Sequence, residues 1–258
     1  MDISIIIINY NTALLTYNCI QSIVAFTPKD LNFEIILIDN ASQLEDFNSL
    51  KSNIDVLNLS NITLFRSKIN TGFSGGNMLG VQFATGKFLT FINSDVLLTC
   101  DSFSELINYF NNHKNVGVIG LQPIYKNGNK QIPFSHFQNF QLSLLGYWLF
   151  EKLNPRKANR RGIYEKPIKV DFVVGSFMFF RAKSFYEIGG FDNNIFLYYE
   201  EMDVCQRLKK INLDAVFFPH LNYVHLIGAS TKLGYVKKIE LKISHLYVVS
   251  KNNGYFSY

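Results

Sequence analysis

Cysteine is scarce and scattered: Cys19, Cys100 and Cys205 are the three in 258 residues, with no CxxC pair and no Cys/His spacing among them. That excludes a zinc module and a secreted disulfide framework, and it points to a reducing compartment. Long apolar runs are missing as well. The run at residues 3–8 stops at Asn9 and has no basic segment before it. It is too short for a signal peptide or a membrane span, so the expected location is the cytoplasm. No stretch is rich in Pro, Gly or Ser, and no repeat recurs, which argues against independent domains joined by a linker. What the chain has instead is 48% hydrophobic and 17% charged residues, a globular composition long enough to bury its own core.

Net charge is +5, and the excess of Lys and Arg collects in two stretches. One holds Lys152, Arg156, Lys157, Arg160, Arg161, Lys166 and Lys169, the other Lys232, Lys237, Lys238 and Lys242. An anionic partner or a solvated basic face explains them equally. No nucleic-acid recognition motif is interleaved with them, so a nucleic-acid partner is not expected.

The first half alternates short β-branched runs with amphipathic segments. Residues 3–8, 33–38, 62–65, 88–92 and 116–120 read as strands. Helices are expected over 12–26, 44–53, 75–84 and 102–112. This order predicts an α/β fold with a mainly parallel sheet flanked by helices. The second half loses the rhythm. A strand-like run returns at residues 171–181, with helices expected at 182–188, 200–210 and 237–251. A single domain of two lobes is expected, residues 1–120 and 121–258, the second the smaller.

Parallel sheets bind ligands beyond the carboxyl ends of their strands. Four such places are unusually polar: Asn9-Tyr10-Asn11, Asp39-Asn40-Ala41-Ser42, residues 70–77 and Asn93-Ser94-Asp95. Each alone could be a turn or a helix cap. No GxGxxG follows the first strand and no Gly-Lys-Ser/Thr occurs, Gly86-Lys87-Phe88 being the nearest approach. Bound phosphates would then need another neutralising group. A divalent cation, Mg²⁺ or Mn²⁺, held by Asp95 is the economical choice.

Together these residues resemble family 2 glycosyltransferases of the GT-A fold. The resemblance rests on Ile7-Ile8-Asn9-Tyr10-Asn11, Ile38-Asp39-Asn40-Ala41-Ser42, Asn70-x-Gly72-Phe73-x-x-Gly76-Asn77 and Phe91-Ile92-Asn93-Ser94-Asp95-Val96. It continues through Gly175-Ser176-Phe177-Met178, Arg181, Gly189-Gly190-Phe191-Asp192, Phe196-x-Tyr198-x-Glu200-Glu201-x-Asp203 with Arg207, then Pro219 and His225. The most similar subgroup contains bacterial rhamnosyltransferases of polysaccharide assembly.

The resemblance implies a role for each matched position. Residues 1–120 become the nucleotide-sugar half and residues 121–258 the acceptor half. Asp39 would hydrogen-bond a pyrimidine base, with Asn9, Tyr10, Asn11 and Asn40 lining the same pocket. Asn70, Gly72, Gly76 and Asn77 would lie beside the donor, the glycines admitting close backbone approach. Asn93-Ser94-Asp95 stands where the family has DxD, so Asp95 would carry the metal contact, joined by His225. Glu201 stands where the family's Glu-Asp-x-Asp pattern has its general base, one methylene longer. With that departure Glu200 or Asp203 could share the role; on a helix residues 200 and 203 share a face while 201 points about 100° away, so one acid can face the cleft while another caps or pairs.

These roles imply inverting transfer of a sugar, rhamnose by the subgroup, from a UDP- or dTDP-sugar to a saccharide or polyprenyl-diphosphate-linked acceptor. A sugar nucleotidyltransferase would need an early Gly-rich basic loop, which residues 9–20 lack. A catalytically silent nucleotide-sugar-binding protein is the other alternative, motivated by Asn93 and Glu201. The apolar segment 137–150 runs directly into the first basic stretch. It reads either as an element in peripheral contact with the inner face of the cell membrane or as a buried wall of the acceptor lobe.

Overall fold

The computed structural model describes residues 1–226 and 234–253. Gly228, Ser230 and Lys232 lie outside the described residues. The strands are β1 (Ile3–Asn9), β2 (Phe33–Asn40), β3 (Ile62–Ser67), β4 (Phe88–Asn93), β5 (Val96–Leu98), β6 (Val116–Ile124), β7 (Phe134–Ser135), β8 (Ile168–Val170), β9 (Phe172–Val173), β10 (Phe177–Arg181) and β11 (Asp214–His225). The helices are α1 (Ala13–Phe26), α2 (Leu44–Leu57), α3 (Gly72–Val81), α4 (Phe103–Asn112), α5 (Phe140–Leu153), α6 (Ala182–Glu187), α7 (Glu200–Lys210) and α8 (Tyr235–Asn253).

One sheet in the order β3-β2-β1-β4-β10-β6-β11-β5, with β8 also on β11, draws strands from both halves of the chain. The ladders among β3, β2, β1 and β4 are parallel, as is β6 with β11. Between them β10 runs antiparallel to both β4 and β6, so the sheet is mixed and its purely parallel part is the amino-terminal half. Strands β7 and β9 form a separate small ladder.

The β-branched run of β1 shows why the sheet is covered on both faces. Successive side chains alternate, so Ile3, Ile5 and Ile7 pack with Cys19, Ile20 and Ile23 of α1 and with Phe103, Leu106 and Phe110 of α4. Ile6 turns the other way, into the core that holds Phe91, Phe180, Phe185 and Phe191. Each fully buried ring contributes roughly 2–3 kcal/mol, which makes the second core largely aromatic in origin. The carboxyl ends of β1, β2 and β4 are left facing open space, and the polar segments that follow them meet there.

Several elements differ from expectation. Helix α3 begins at Gly72 rather than residue 75, because Gly72 at φ +73 turns the chain directly into the first helical turn. The run 171–181 is two strands, β9 and β10. Strand β11 was not expected; it contains Pro219 and shifts register between Phe218 and Asn222.

Candidate active site

The polar strand ends open onto a cavity of about 930 Å³. Tyr10, Asn11, Asn40, Asn70, Gly72, Asn77, Asn93, Ser94, Glu200, Glu201 and His225, all anticipated from sequence, line it. The amino-terminal half thus contributes strand ends and the start of α3, while the other half contributes the start of α7 and the end of β11.

The acids reach the cavity through an unusual helix start. Tyr198 and Tyr199 both have left-handed backbone, φ +73 and +68. Such a conformation costs a side-chain-bearing residue roughly 1 kcal/mol or more, so two in succession mark a turn held by its surroundings. The Tyr199 carbonyl accepts from Asp203 N at 3.0 Å, closing the first turn of α7. Glu200 and Glu201 then both face the cavity, meeting at Gly175, where an added Cβ would lie 3.6 Å from Glu201 Oε2 and 3.8 Å from Glu200 Oε1.

Burial dominates the chemistry of this pair. Glu200 is 5% exposed and its Oε2 is buried with no hydrogen-bond partner among the described residues. Desolvation, then the charge of Glu201, raises its pKa well above the ordinary carboxylate value. Desolvation pushes Glu201 up to about 7. Backbone N–H groups at the helix start oppose both shifts without cancelling them. Both carboxyls are therefore harder to ionise than an ordinary glutamate, and Glu201 is poised between its two forms near neutral pH.

On the facing side, His225 Nε2 lies 3.5 Å from Asp95 Oδ1. The imidazole is oriented by Gln131, whose Nε2 donates to the His225 carbonyl at 2.9 Å and whose Oε1 lies 3.2 Å from His225 Nδ1. Because the amide's donor end is committed to the carbonyl, its oxygen accepts from Nδ1–H, which turns Nε2 toward Asp95. A carboxylate and an imidazole nitrogen at this separation suit a shared cation. Among the described residues no group of three His, Cys, Asp or Glu could hold a metal ion.

Five expected site residues stand behind the cavity wall rather than on it. Asn9 is fully buried; its Nδ2 faces Asp39, Ser42 and Asp46 at 2.9–3.0 Å, and its Oδ1 accepts from Thr12 and Thr16. Asp39 is buried too, paired with Arg66 at 3.2 Å, so its carboxylate is engaged within the protein. Gly76 serves packing: a Cβ there would meet Ile8 at 2.9 Å. Asp95 lies 2% exposed beneath His225. Asp203 is fully buried and points to the other side of α7, with Arg207 at 2.7 Å and Lys251 at 2.8 Å. Helical spacing sets residues 200 and 203 on one face and turns 201 away, yet Glu200 and Glu201 both line the cavity and Asp203 does not. Gly72 admits the protein's own backbone, its missing Cβ leaving room for the Phe196 carbonyl, which accepts from Phe73 N at 2.7 Å.

Sequence comparison connects this arrangement to known proteins. Residues 4–189 match the family described as Glycosyl transferase family 2. The chain belongs to that family. It is 24% identical over 168 residues to Rhamnosyltransferase WbbL of Escherichia coli (strain K12), a match covering 60% of each chain. It is 25% identical over 218 residues to Low-salt glycan biosynthesis hexosyltransferase Agl10 of Haloferax volcanii, covering 83% of this chain and 63% of that one. The chain thus spans less than two thirds of each of these relatives. Among solved structures it resembles GalNAc-T7, crystallised with UDP, GalNAc and Mn²⁺, at a TM-score of 0.69 and 15% identity, covering 97% of this chain and 48% of that one. At that identity the likeness is one of fold, and the fold is GT-A.

The cavity residues of this family 2 glycosyltransferase that were not anticipated as site residues include Gln131, Lys237 and Glu240. Gln131 follows the Asn127-Gly128 turn, whose Gly128 has φ +84 and closes a hairpin bridging Ile124 to Lys130. That turn was visible in the sequence and was the available signal for Gln131. Lys237 and Glu240 reach the cavity from α8, and nothing local in sequence marked them.

Proposed function

We propose that the protein is an inverting, metal-dependent glycosyltransferase. It would move a sugar, rhamnose being the candidate from the subgroup, from a UDP- or dTDP-sugar to a saccharide or polyprenyl-diphosphate-linked saccharide in cell-surface polysaccharide synthesis. The observation that carries this reading is that Glu200 and Glu201 share one cavity with Asn93, Ser94 and His225, with Asp95 beneath.

In this mechanism the acceptor hydroxyl attacks the anomeric carbon from the face opposite the leaving group while Glu201 takes its proton. The new C–O bond forms as the bond to the diphosphate oxygen breaks, so the configuration inverts and a nucleoside diphosphate departs. Glu200, its carboxyl also held toward the protonated form by burial, lies beside the base. Asp95 and His225 would hold a divalent cation, Mg²⁺ or Mn²⁺, with Gln131 orienting the imidazole. When bound, that ion neutralises charge building on the departing diphosphate. Tyr10, Asn11 and Asn40 would bound the nucleoside, while Asn9 and Asp39 hold that wall in place, Asp39 through Arg66. Asn70, Gly72 and Asn77 would flank the sugar.

A panel of UDP- and dTDP-sugars with Mn²⁺ tests the reading. Metal-dependent release of nucleoside diphosphate by the wild type, abolished in Glu201→Gln while nucleotide binding persists, supports transfer. Binding without turnover under every donor and acceptor would instead favour the silent binding protein, which Asn93 in place of the first DxD carboxylate motivates.

A further inference from the structure

Segment 137–150 is neither wholly core nor wholly surface. Within α5, Leu142 and Phe150 are 3% and 2% exposed, whereas Phe140, Leu144 and Trp148 are 70%, 70% and 74% exposed. The helix is broken at Gly146, φ +67 and ψ 169, where an added Cβ would meet nothing within 4 Å. The break lets Leu142 and Phe150 stay anchored inward while large apolar side chains on both sides of it remain in solvent. Trp148 carries Lys152 Nζ 5.3 Å from its ring centroid, an aromatic body beside a cationic head.

Helix α8 repeats the pattern independently. Tyr235, Ile239 and Ile243, spaced at successive turns, are 86%, 55% and 54% exposed, and Lys238 and Lys242 are exposed on the same side. The two helices lie together, since Phe140 and Leu144 of α5 border one groove with His245 and Val249 of α8. The opposite side of α8 supplies Lys237 and Glu240 to the active-site cavity. Among the described residues no helix is long and apolar enough to cross a membrane.

We infer that the exposed apolar and basic faces of α5 and α8 together form a docking surface for an anionic lipid bilayer. Apolar side chains interspersed with lysines match the boundary between acyl chains and negative headgroups. A second copy of this chain fits less well, because a two-fold contact would set these lysines against their own counterparts. The first basic stretch is less available than its sequence indicated. Lys157 is paired with Asp171 and Arg160 with Glu151, and Lys169 pairs with Asp214, so these three contribute less to the attraction than Lys152 and the lysines of α8. Docked this way, the cavity opening beside Lys237 and Glu240 lies within a helix diameter of the lipid surface. Docking itself requires no transfer chemistry.

Trp148 is the only tryptophan in the chain, so its fluorescence reports this surface alone. With vesicles of phosphatidylcholine and phosphatidylglycerol, the full chain should co-float, its emission should shift to the blue, and iodide quenching should fall. With phosphatidylcholine alone, binding should be much weaker. Lys238→Ala with Lys242→Ala should weaken vesicle binding about thirtyfold. Ile239→Glu with Ile243→Glu should abolish it, with circular dichroism and UDP affinity unchanged because these side chains are exposed. Absence of flotation with the phosphatidylglycerol-containing vesicles, unshifted Trp148 emission, or unaltered binding by both variants would overturn the inference. So would sedimentation showing a dimer that the isoleucine substitutions dissociate. Loss of UDP binding with flotation intact would count against the transferase reading and leave the docking surface standing.

Discussion

With Glu201 as the proposed base, activity gains a pH dependence whose size can be worked out from its surroundings. Burial pushes its carboxyl up to about 7, and only the ionised form can take a proton from the acceptor hydroxyl. With one ionisation there, roughly a tenth of the protein carries the competent carboxylate at about pH 6 and roughly nine tenths at about pH 8. kcat/KM, followed by release of nucleoside diphosphate at saturating Mn²⁺, should therefore rise about tenfold per unit at low pH and level off above about 8. Glu200→Gln imitates the protonated partner and should leave the midpoint in place. Glu201→Gln should lower kcat by about 10²–10⁴ and flatten the profile. Because His225, Lys237 and Glu240 line the same cavity, nucleotide affinity measured across the same range separates binding from chemistry. Stability should move in the opposite sense. A carboxyl whose pKa is raised by folding holds its proton more tightly in the folded state, so stability is greatest below the ordinary 4.5 and falls as pH rises to about 7. The loss is at most about 3 kcal/mol, and Glu201→Gln should remove it from urea titrations. A wild-type midpoint near 4.5, or a Glu201→Gln profile indistinguishable from wild type, would refute the reasoning.

Asp95→Ala and His225→Ala should each weaken Mn²⁺ binding, and Gln131→Leu should weaken it about 10–100-fold by freeing the imidazole; calorimetry showing undiminished affinity in all three would reject the site. Asp203→Asn takes the carboxylate from Arg207, leaving Lys251 with Asp192 alone, and should cost about 3 kcal/mol in chemical denaturation, while kcat of the folded protein stays at the wild-type value. Arg66→Ala leaves buried Asp39 without its cation and should lower stability by about 3 kcal/mol, read as an earlier urea midpoint with unchanged slope. Gly72→Ala would place a Cβ 2.1 Å from the Phe196 carbonyl in a left-handed backbone, so thermal unfolding should drop sharply and nucleotide binding should fail with it.

The amino-terminal strands were legible because each is a short apolar run whose β-branched residues fit a sheet covered on both faces, as in β1 and β2. β11 was not, because Pro219, His220 and Asn222 interrupt its apolar pattern at the place where it shifts register against β6. The start of α3 was placed late since Gly72, Gly75 and Gly76 are poor helix formers; packing against Ile8 and Phe196 overrides that preference. At the site, residues just beyond strand ends could be found from their polarity alone. Sequence did not separate those that line the cavity from those that brace it, and so Asn9 and Asp39 were read as contacts. Helical periodicity grouped residue 200 with 203 and turned 201 away; at the first turn of α7, just past the left-handed Tyr198 and Tyr199, Glu200 and Glu201 nonetheless both line the cavity. Lys237 and Glu240 depend on where α8 docks, which no local pattern encodes.

The bond from Phe73 N to the Phe196 carbonyl has a consequence for anyone building chimaeras from this scaffold. It is a stitch between the two ends of the cavity, made backbone to backbone and dependent on the bare α-carbon at position 72. A transplanted 195–199 segment would inherit its tyrosine turn yet lose its seat unless residues 72 and 73 travelled with it. Swapping acceptor preference by exchanging that segment alone should therefore yield misaligned acids more often than new specificity.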